Sequence, residues 1–246
     1  MLLVSQLFGW SDPGAAFSAF IQIGTEMAVL VYFSRDIARI VRTWWQSLSR
    51  PQLRKSLDAR MGWYVIFGTI PIVVLGVLLT EQIETAARNL WLVATVLIGF
   101  GLLLGAADRF GRKVFALDHL KARDGVILGF GQALALIPGV SRSGATITTG
   151  LALGYTREAA TRYSFLLAIP AVLGAGIYES TKIGTESSVA WAPTIAATLI
   201  SFVVGYLVIA WLLRWISSHS YTPFVIYRIA LGCLIFVLLG TGVLTG

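Results

Sequence analysis

Cysteine, histidine and acidic residues are scarce in this chain. Its 246 residues include one cysteine, two histidines and 12 Asp or Glu residues against 19 Lys or Arg residues, and 13% of them are charged. A single cysteine cannot form an intrachain disulfide, so no disulfide framework holds the fold. With 57% apolar residues, so low a charged fraction argues against a soluble globular domain and predicts a polytopic membrane protein.

Apolar residues are concentrated in stretches long enough to cross a bilayer, which takes about 20 residues of helix. The predicted transmembrane helices are residues 16–34, 62–80, 90–107, 162–180, 191–213 and 224–244. A seventh apolar stretch, 125–154, is interrupted by Pro138, Gly139 and a run of Ser, Thr and Gly. We therefore predict an all-α membrane protein with six transmembrane helices and one broken segment.

The basic residues lie at the predicted membrane edges, so the net charge of +7 does not indicate a nucleic-acid partner. Residues 35–60 and 108–124 are rich in Arg and Lys, whereas 81–89 and 181–190 each hold one. The positive-inside rule places the first two segments in the cytoplasm and the other two outside. These positions are consistent only if 125–154 enters and leaves on the cytoplasmic side, which predicts a re-entrant helix-loop-helix.

The order of the crossings also predicts an internal repeat. Three spans lie in residues 1–124, and the broken segment with three further spans lies in 125–246. An odd number of crossings gives the two halves opposite orientations in the membrane, with a site expected near the midplane where they meet. We predict a single membrane domain built as an inverted repeat whose first re-entrant segment is missing.

The break in the seventh stretch has the composition of an anion site. Pro138 removes a donor and ends one half-helix, and Gly139 permits the turn. Either Ser141 or Ser143 can cap the second half-helix. The free N–H groups and the positive dipole end of that half-helix then face a cavity, because irregular backbone at membrane depth needs polar surroundings.

Arg142 lies between those two serines and favours phosphate as the anion. Its guanidinium presents a fork of donors that suits phosphate oxygens, and Thr146 can add a hydroxyl one turn further on. The alternative is a simple kink, in which Ser and Thr join neighbouring helices and the arginine extends to the membrane surface.

Three more polar residues lie within apolar stretches. Glu26, in the middle of the first span, is predicted to take part in a polar interior, by holding a divalent metal or meeting Arg142; the alternative is a neutral acid bonded to a neighbouring helix. Gln132, in the first half-helix, is a weaker candidate for the site. Arg228 is predicted to be an anchor that extends to the membrane surface.

The residues of the broken segment resemble a known family. The stretch GFGQALALIPGVSRSGATITTGLALGYTREAATRYSFLLAIPAVLGAGIYE is similar to the second signature region of the undecaprenyl-diphosphate phosphatases, the bacitracin-resistance membrane phosphatases. FIQIGTEMAVLVYFSRDI, GWYVIFGTIPIVVLGVLL and TPFVIYRIALG resemble other parts of that family. The resemblance implies hydrolysis of undecaprenyl diphosphate to the monophosphate in a bacterial inner (plasma) membrane, which recycles a lipid carrier for cell-wall synthesis. It also implies two inverted repeats.

The resemblance implies that Arg142 binds the diphosphate and that Ser141, Ser143 and Thr146 line the same pocket. The candidate catalytic residues are Arg142, Ser141 and Ser143, and the candidate substrate-binding residues are Gly139, Thr146, Gln132 and Glu26. The expected partners are the membrane and a polyprenyl diphosphate lipid, with no nucleic acid, and the expected assembly is a homodimer.

The chain departs from the family in one respect. The family's first signature, E-x-x-x-E followed by P-V-S-S-T-G-H, has no match here, so its catalytic histidine, serine and paired glutamates have no counterparts. We therefore expect a divalent metal ion, Mg²⁺ or Ca²⁺, whose ligands lie largely outside this chain. The sequence leaves three functions open: an enzyme whose start lies upstream of Met1, a polyprenyl-phosphate-binding protein without activity, and a transporter or flippase for such lipids.

Overall fold

The computed structural model describes residues 15–182 and 191–244. These residues form helices joined by short turns, with one isolated β-bridge between Phe115 and Tyr155, which confirms the predicted all-α class. The α-helices are α1 (Ala15–Tyr32), α2 (Ser34–Ser49), α3 (Leu57–Leu78), α4 (Thr80–Arg88), α5 (Leu90–Phe110), α6 (Ala122–Ala133), α7 (Arg142–Ala152), α8 (Arg157–Lys182), α9 (Trp191–Ile216) and α10 (Thr222–Gly240). Short 3₁₀ helices cover Pro51–Lys55, Leu117–His119 and Leu134–Leu136.

Four helices are long and apolar enough to cross a membrane, namely α3, α5, α9 and α10. They correspond to four of the six predicted spans. The remaining two predicted spans, 16–34 and 162–180, coincide with α1 and α8. Within α1, the described residues Phe20–Tyr32 form an apolar helix. That α1 and α8 cross the membrane stays a prediction.

One predicted loop is wrong in its secondary structure. Residues 81–89, expected to be an external loop, are mostly the short helix α4. Asn89 then separates α4 from α5, and its side chain accepts a hydrogen bond from the backbone N–H of Leu92 at 3.0 Å, which caps the start of α5. Most of the other predicted loop, 181–190, lies outside the described residues.

Contacts divide the chain into two compact units, of which the first draws on residues 1–37 and 169–212. In this unit α1 and α9 approach closely. A Cβ atom on Gly24 would lie 2.4 Å from the carbonyl oxygen of Thr198, and one on Gly205 would lie 3.2 Å from Cβ of Ala28. Small residues of this kind let membrane helices pack backbone against backbone.

The second unit draws on residues 38–168 and 213–246 and contains the broken segment. Here α10 packs along α5, α6 packs against α3, and α7 packs against both α5 and α6. The contact of α6 with α3 is a backbone contact, because a Cβ atom on Gly129 would lie 2.5 Å from the carbonyl oxygen of Gly68. The side chains of Leu128, Val140 and Leu151 are buried in this packing.

The two half-helices predicted within 125–154 are α6 and α7, so the helix-loop-helix is confirmed, with α6 beginning earlier, at Ala122. Gly139 contacts Val93 in the first turn of α5, whereas the carbonyl of Leu151, near the end of α7, lies against Gly111, just after α5. The chain from the turn to the end of α7 therefore runs beside α5 and in the same direction. Its re-entry into a membrane and the inverted repeat of residues 1–124 and 125–246 stay predictions.

Candidate functional site

The connection between α6 and α7 is a tight turn with defined chemistry. The backbone N–H of Val140 donates to the carbonyl of Ile137 at 3.2 Å, with Pro138 and Gly139 between them. Gly139 has φ +93°, so the turn is of type II, in which proline fixes the first central residue and glycine supplies the positive φ of the second. A side chain there would also meet α5, since a Cβ atom on Gly139 would lie 2.8 Å from the carbonyl oxygen of Val93.

Ser141, rather than Ser143, is the cap of α7. Its hydroxyl oxygen accepts the backbone N–H of Gly144 at 3.3 Å. The residue has φ +70°, which is an unfavourable backbone conformation for a side chain with a Cβ atom. Its neighbour Val140 is completely buried and fixes the chain just before the strained residue. Strained residues of this kind persist where the surrounding structure holds them, and they cluster at functional sites.

Arg142 is the first residue of α7 and is partly exposed. It thus lies where the helix has unsatisfied N–H groups and the positive end of its dipole. Ser143 follows it, also partly exposed. Thr146 is fully buried, and its hydroxyl donates to the carbonyl of Arg142 at 3.0 Å. The structure therefore places Ser141, Arg142 and Ser143 at one helix N-terminus. Thr146 is buried one turn further along the same helix.

The other two predicted substrate-binding side chains have different surroundings. Gln132, in α6, is completely buried, and neither of its amide atoms has a hydrogen-bond partner. Glu26, in α1, belongs to the first unit and is 9% exposed; one of its oxygens accepts a hydrogen bond from Nε2 of Gln22 at 3.0 Å. That either residue contacts substrate stays a prediction.

The predicted divalent metal finds no ready set of ligands in the part of the chain that the structure describes. Within residues 15–182 and 191–244, no three His, Cys, Asp or Glu side chains gather into a group that could hold a metal ion. Glu26, the acid that the sequence suggested as a ligand, has an amide as its neighbour at 3.0 Å. The divalent metal ion stays a prediction.

Arg228 lies at the turn, where the sequence did not predict it. It was expected to extend to the membrane surface, but it is 9% exposed, and its Nη2 donates to the carbonyl of Gly139 at 2.7 Å. The prediction is wrong because α10 packs closely along α5, which turns this face of α10 inward. A signal was present in the sequence: Gly232, also buried, lies one turn after Arg228, so the two mark a packed face.

A second charged cluster lies at the other end of α5. Nε of Arg157 donates to Oδ1 of Asp108 at 2.6 Å, and Oδ2 of Asp108 accepts the backbone N–H of Tyr221 at 2.9 Å. A cavity of about 600 Å³ adjoins it, lined among others by Asp108, Arg109, Lys113, Arg157, Ser220 and Thr222. Asp108 follows Val93 by 15 residues, which at 1.5 Å per residue is about 22 Å along α5. The cluster is therefore separate from the turn.

The chain matches known proteins over nearly its whole length. The family model of the bacitracin resistance protein BacA matches residues 1–234. The chain belongs to the BacA family. Among its relatives, the undecaprenyl-diphosphatase of Nocardioides sp. is 58% identical over 240 residues, which are 97% of this chain and 88% of that protein.

Two further relatives carry the same name. The undecaprenyl-diphosphatase of Kineococcus radiotolerans is 57% identical over 245 residues, covering 99% of this chain and 87% of that protein. The one of Thermobifida fusca is 55% identical over 243 residues, covering 99% of this chain and 83% of that protein. Membership of the BacA family confirms the resemblance stated for the sequence of the turn.

Proposed function

We propose that this protein is an undecaprenyl-diphosphatase, which hydrolyses undecaprenyl diphosphate to undecaprenyl phosphate and inorganic phosphate. The observation that carries the proposal is the identity of 55–58% to undecaprenyl-diphosphatases over 97–99% of the chain. The role follows from the reaction: hydrolysis returns the lipid carrier to cell-wall synthesis, and the BacA description associates the family with bacitracin resistance.

The turn between α6 and α7 supports this chemistry. Phosphoryl transfer depends mainly on positioning the phosphate groups and neutralising their charge. Arg142 offers donors in a fork that matches two phosphate oxygens, and it does so at the positive end of α7. The hydroxyls of Ser141 and Ser143 flank it. We assign to this group the binding and orientation of the diphosphate.

The apolar surface suits a polyprenyl tail. Large apolar side chains of α9 are exposed, among them Leu199, Ile200 and Leu207 at 60–63%. Exposed apolar surfaces of this kind mark contacts with membranes or apolar ligands, and lipid chains can cover them. We propose that the protein is a multi-pass protein of the bacterial plasma membrane, that the lipid reaches the turn from the bilayer, and that a homodimer is its assembly.

Replacement of Arg142 by alanine tests the proposal. Because one charge-stabilising donor in an enclosed site is worth about 10²–10³ in kcat, we expect Arg142→Ala to release phosphate from undecaprenyl diphosphate at least a hundredfold more slowly. The matched control is Arg42→Ala, at an exposed arginine of α2, which should keep normal turnover. Near-normal turnover of Arg142→Ala would contradict the assigned role.

The same assay separates the remaining functions. Binding of undecaprenyl phosphate without any phosphate release by the unsubstituted protein would favour a binding protein. Movement of the lipid across vesicles without phosphate release would favour a transporter or flippase. A divalent ion, Mg²⁺ or Ca²⁺, remains our proposal from the family resemblance, and treatment with EDTA followed by return of either ion tests it.

A further inference from the structure

Arg228 has an unusual position for a charged residue. It lies in α10, one of the four helices long and apolar enough to cross a membrane, and is 9% exposed. Its Nη2 atom donates to a neutral group, the carbonyl of Gly139, and its Nε atom is buried without a hydrogen-bond partner. Among the described residues, no carboxylate forms an ion pair with it. A charge so placed within a membrane segment is costly, which points to a functional reason for it.

Close helix packing gives Arg228 its orientation. A Cβ atom on Gly101 of α5 would lie 3.3 Å from Cβ of Arg228, and one on Gly232 would lie 2.6 Å from Cγ1 of Ile98. Gly101 thus faces Arg228 directly, and Gly232, one turn further along α10, keeps the two helices close. The side chain is thereby directed along the interface towards the turn.

The guanidinium of Arg228 lies close to both ends of the segment that contains Arg142. At one end of the segment, Nη2 donates to the carbonyl of Gly139 at 2.7 Å. At the other end, Nη1 lies 3.6 Å from where a Cβ atom on Gly144 would be, in the first turn of α7. Between these points lies Ser141, whose φ of +70° has to be held by its surroundings. The turn itself is pressed against Val93 on its other side.

We propose that Arg228 is a positioning residue: it fixes the Gly139–Gly144 segment so that Arg142 and the N-terminus of α7 are aligned for the diphosphate. The inference rests on the proposed function of the same site. A guanidinium suits this task because its planar fork holds several donors in fixed directions, whereas an ammonium group offers a single centre. Its charge also adds to the positive potential at the start of α7.

Three variants of the full chain test the role: Arg228→Gln, Arg228→Lys and, as control, Tyr227→Leu, at a neighbouring side chain that is 64% exposed. A displacement of about 1 Å at a reacting centre can cost a hundredfold. We therefore expect Arg228→Gln to release phosphate between about tenfold and a hundredfold more slowly. Arg228→Lys should recover part of this loss, and Tyr227→Leu should behave like the unsubstituted protein.

A double-variant cycle distinguishes positioning from a purely structural role. If Arg228 acts through Arg142, Arg228→Gln combined with Arg142→Ala should be no slower than Arg142→Ala alone. If the two residues act independently, their losses multiply, and the proposal is wrong. A lower melting temperature of Arg228→Gln with full turnover per folded molecule would also overturn it.

A binding measurement keeps this inference separable from the proposed function. Inorganic diphosphate should raise the melting temperature of the unsubstituted protein and raise that of Arg228→Gln markedly less. If the unsubstituted protein releases no phosphate, the proposed function fails while the binding difference still supports Arg228. If it releases phosphate and Arg228→Gln matches it in turnover and binding, only the inference about Arg228 fails.

Discussion

Arg157 and Arg228 lie in the same unit, and their partners differ in kind. Arg157 donates to a carboxylate, Asp108, at 2.6 Å, and the same carboxylate accepts the backbone N–H at the start of α10. Arg228 donates to a neutral carbonyl, that of Gly139, at 2.7 Å. One arginine is neutralised by the protein itself, whereas the other brings a positive charge to a helix N-terminus that is already positive. Of these two arginines, Arg228 is therefore the one whose charge has no carboxylate partner among the described residues.

The two regions also differ in how they hold a strained backbone. Among the described residues, Lys113 near Asp108 and Ser141 at the turn are the non-glycine residues with positive φ, at 51° and 70°. Nζ of Lys113 donates to the carbonyls of Asp108 and Gly111 at 2.6 and 2.9 Å, so its side chain satisfies the end of α5. Ser141 caps α7 with one hydrogen bond of 3.3 Å. The strained residue near Asp108 therefore supports the end of α5, whereas the one at the turn caps the start of α7.

Replacement of Asp108 by asparagine should give the largest change in stability. It leaves Arg157 without its charged partner, and breaking a buried pair costs about 3–5 kcal/mol. The side chain of Arg157 is 28% exposed against 6% for Asp108, so the low end, about 3 kcal/mol, applies. Thermal unfolding in detergent should show this loss, with phosphate release per folded molecule unchanged.

Asp58→Asn is the matched control for that substitution. Asp58 pairs with Arg39 at 3.0 Å, but the two side chains are 24% and 56% exposed. Exposed pairs contribute about 0–1 kcal/mol, so the melting temperature should hardly change. Should Asp108→Asn lose turnover while its melting temperature stays normal, the distinction between a structural cluster and a catalytic turn would break down.

Gly139→Ala should give the next largest effect, this time on catalysis. Its φ of +93° disfavours any side chain, and the new Cβ atom would lie 2.8 Å from the carbonyl oxygen of Val93. The turn must shift, and with it the carbonyl that Arg228 holds. We expect phosphate release to fall about a hundredfold, as for a 1 Å misplacement. Gly99→Ala, which has open space around its Cβ position, should retain full activity; equal turnover in both variants would contradict the assigned geometry.

The features that could be predicted from the sequence are the local ones. Four long apolar helices followed from apolar runs of about 20 residues, the length that a membrane-crossing helix needs. The turn followed from Pro138 and Gly139, whose backbone preferences act within a few residues. Even α4 carried a signal: TEQIETAAR consists largely of residues that favour helix. The expectation of a loop rested on its position between two predicted spans.

The features that escaped prediction depend on distant contacts. The position of Arg228 was not predicted because the packing of α10 against α5 decides which face of α10 is buried in protein. The sequence of α10 alone does not show that packing. The pairing of Asp108 with Arg157 joins residues 49 positions apart. Ser141 rather than Ser143 caps α7 because the helix begins at Arg142. A sequence pattern does not locate the end of a helix to within one residue.

Ser141→Gly should change stability only slightly and gives the finest test of the turn. Glycine adopts positive φ freely, which relieves about 1–2 kcal/mol of backbone strain, and as a cap it is only a few tenths of a kcal/mol worse than serine. The free energy of unfolding should therefore stay the same or rise by about 1 kcal/mol. In the other region, Lys113→Gly relieves the same kind of strain but loses the two hydrogen bonds from Nζ, so the stability of that variant should fall.

If the hydroxyl of Ser141 contacts the diphosphate, losing a hydrogen bond to a charged group costs about 1.5–3 kcal/mol. Phosphate release by Ser141→Gly should then drop at least about tenfold in a protein that is no less stable. Unchanged turnover would limit Ser141 to shaping the start of α7 and leave Arg142 and Ser143 as the side chains that bind phosphate.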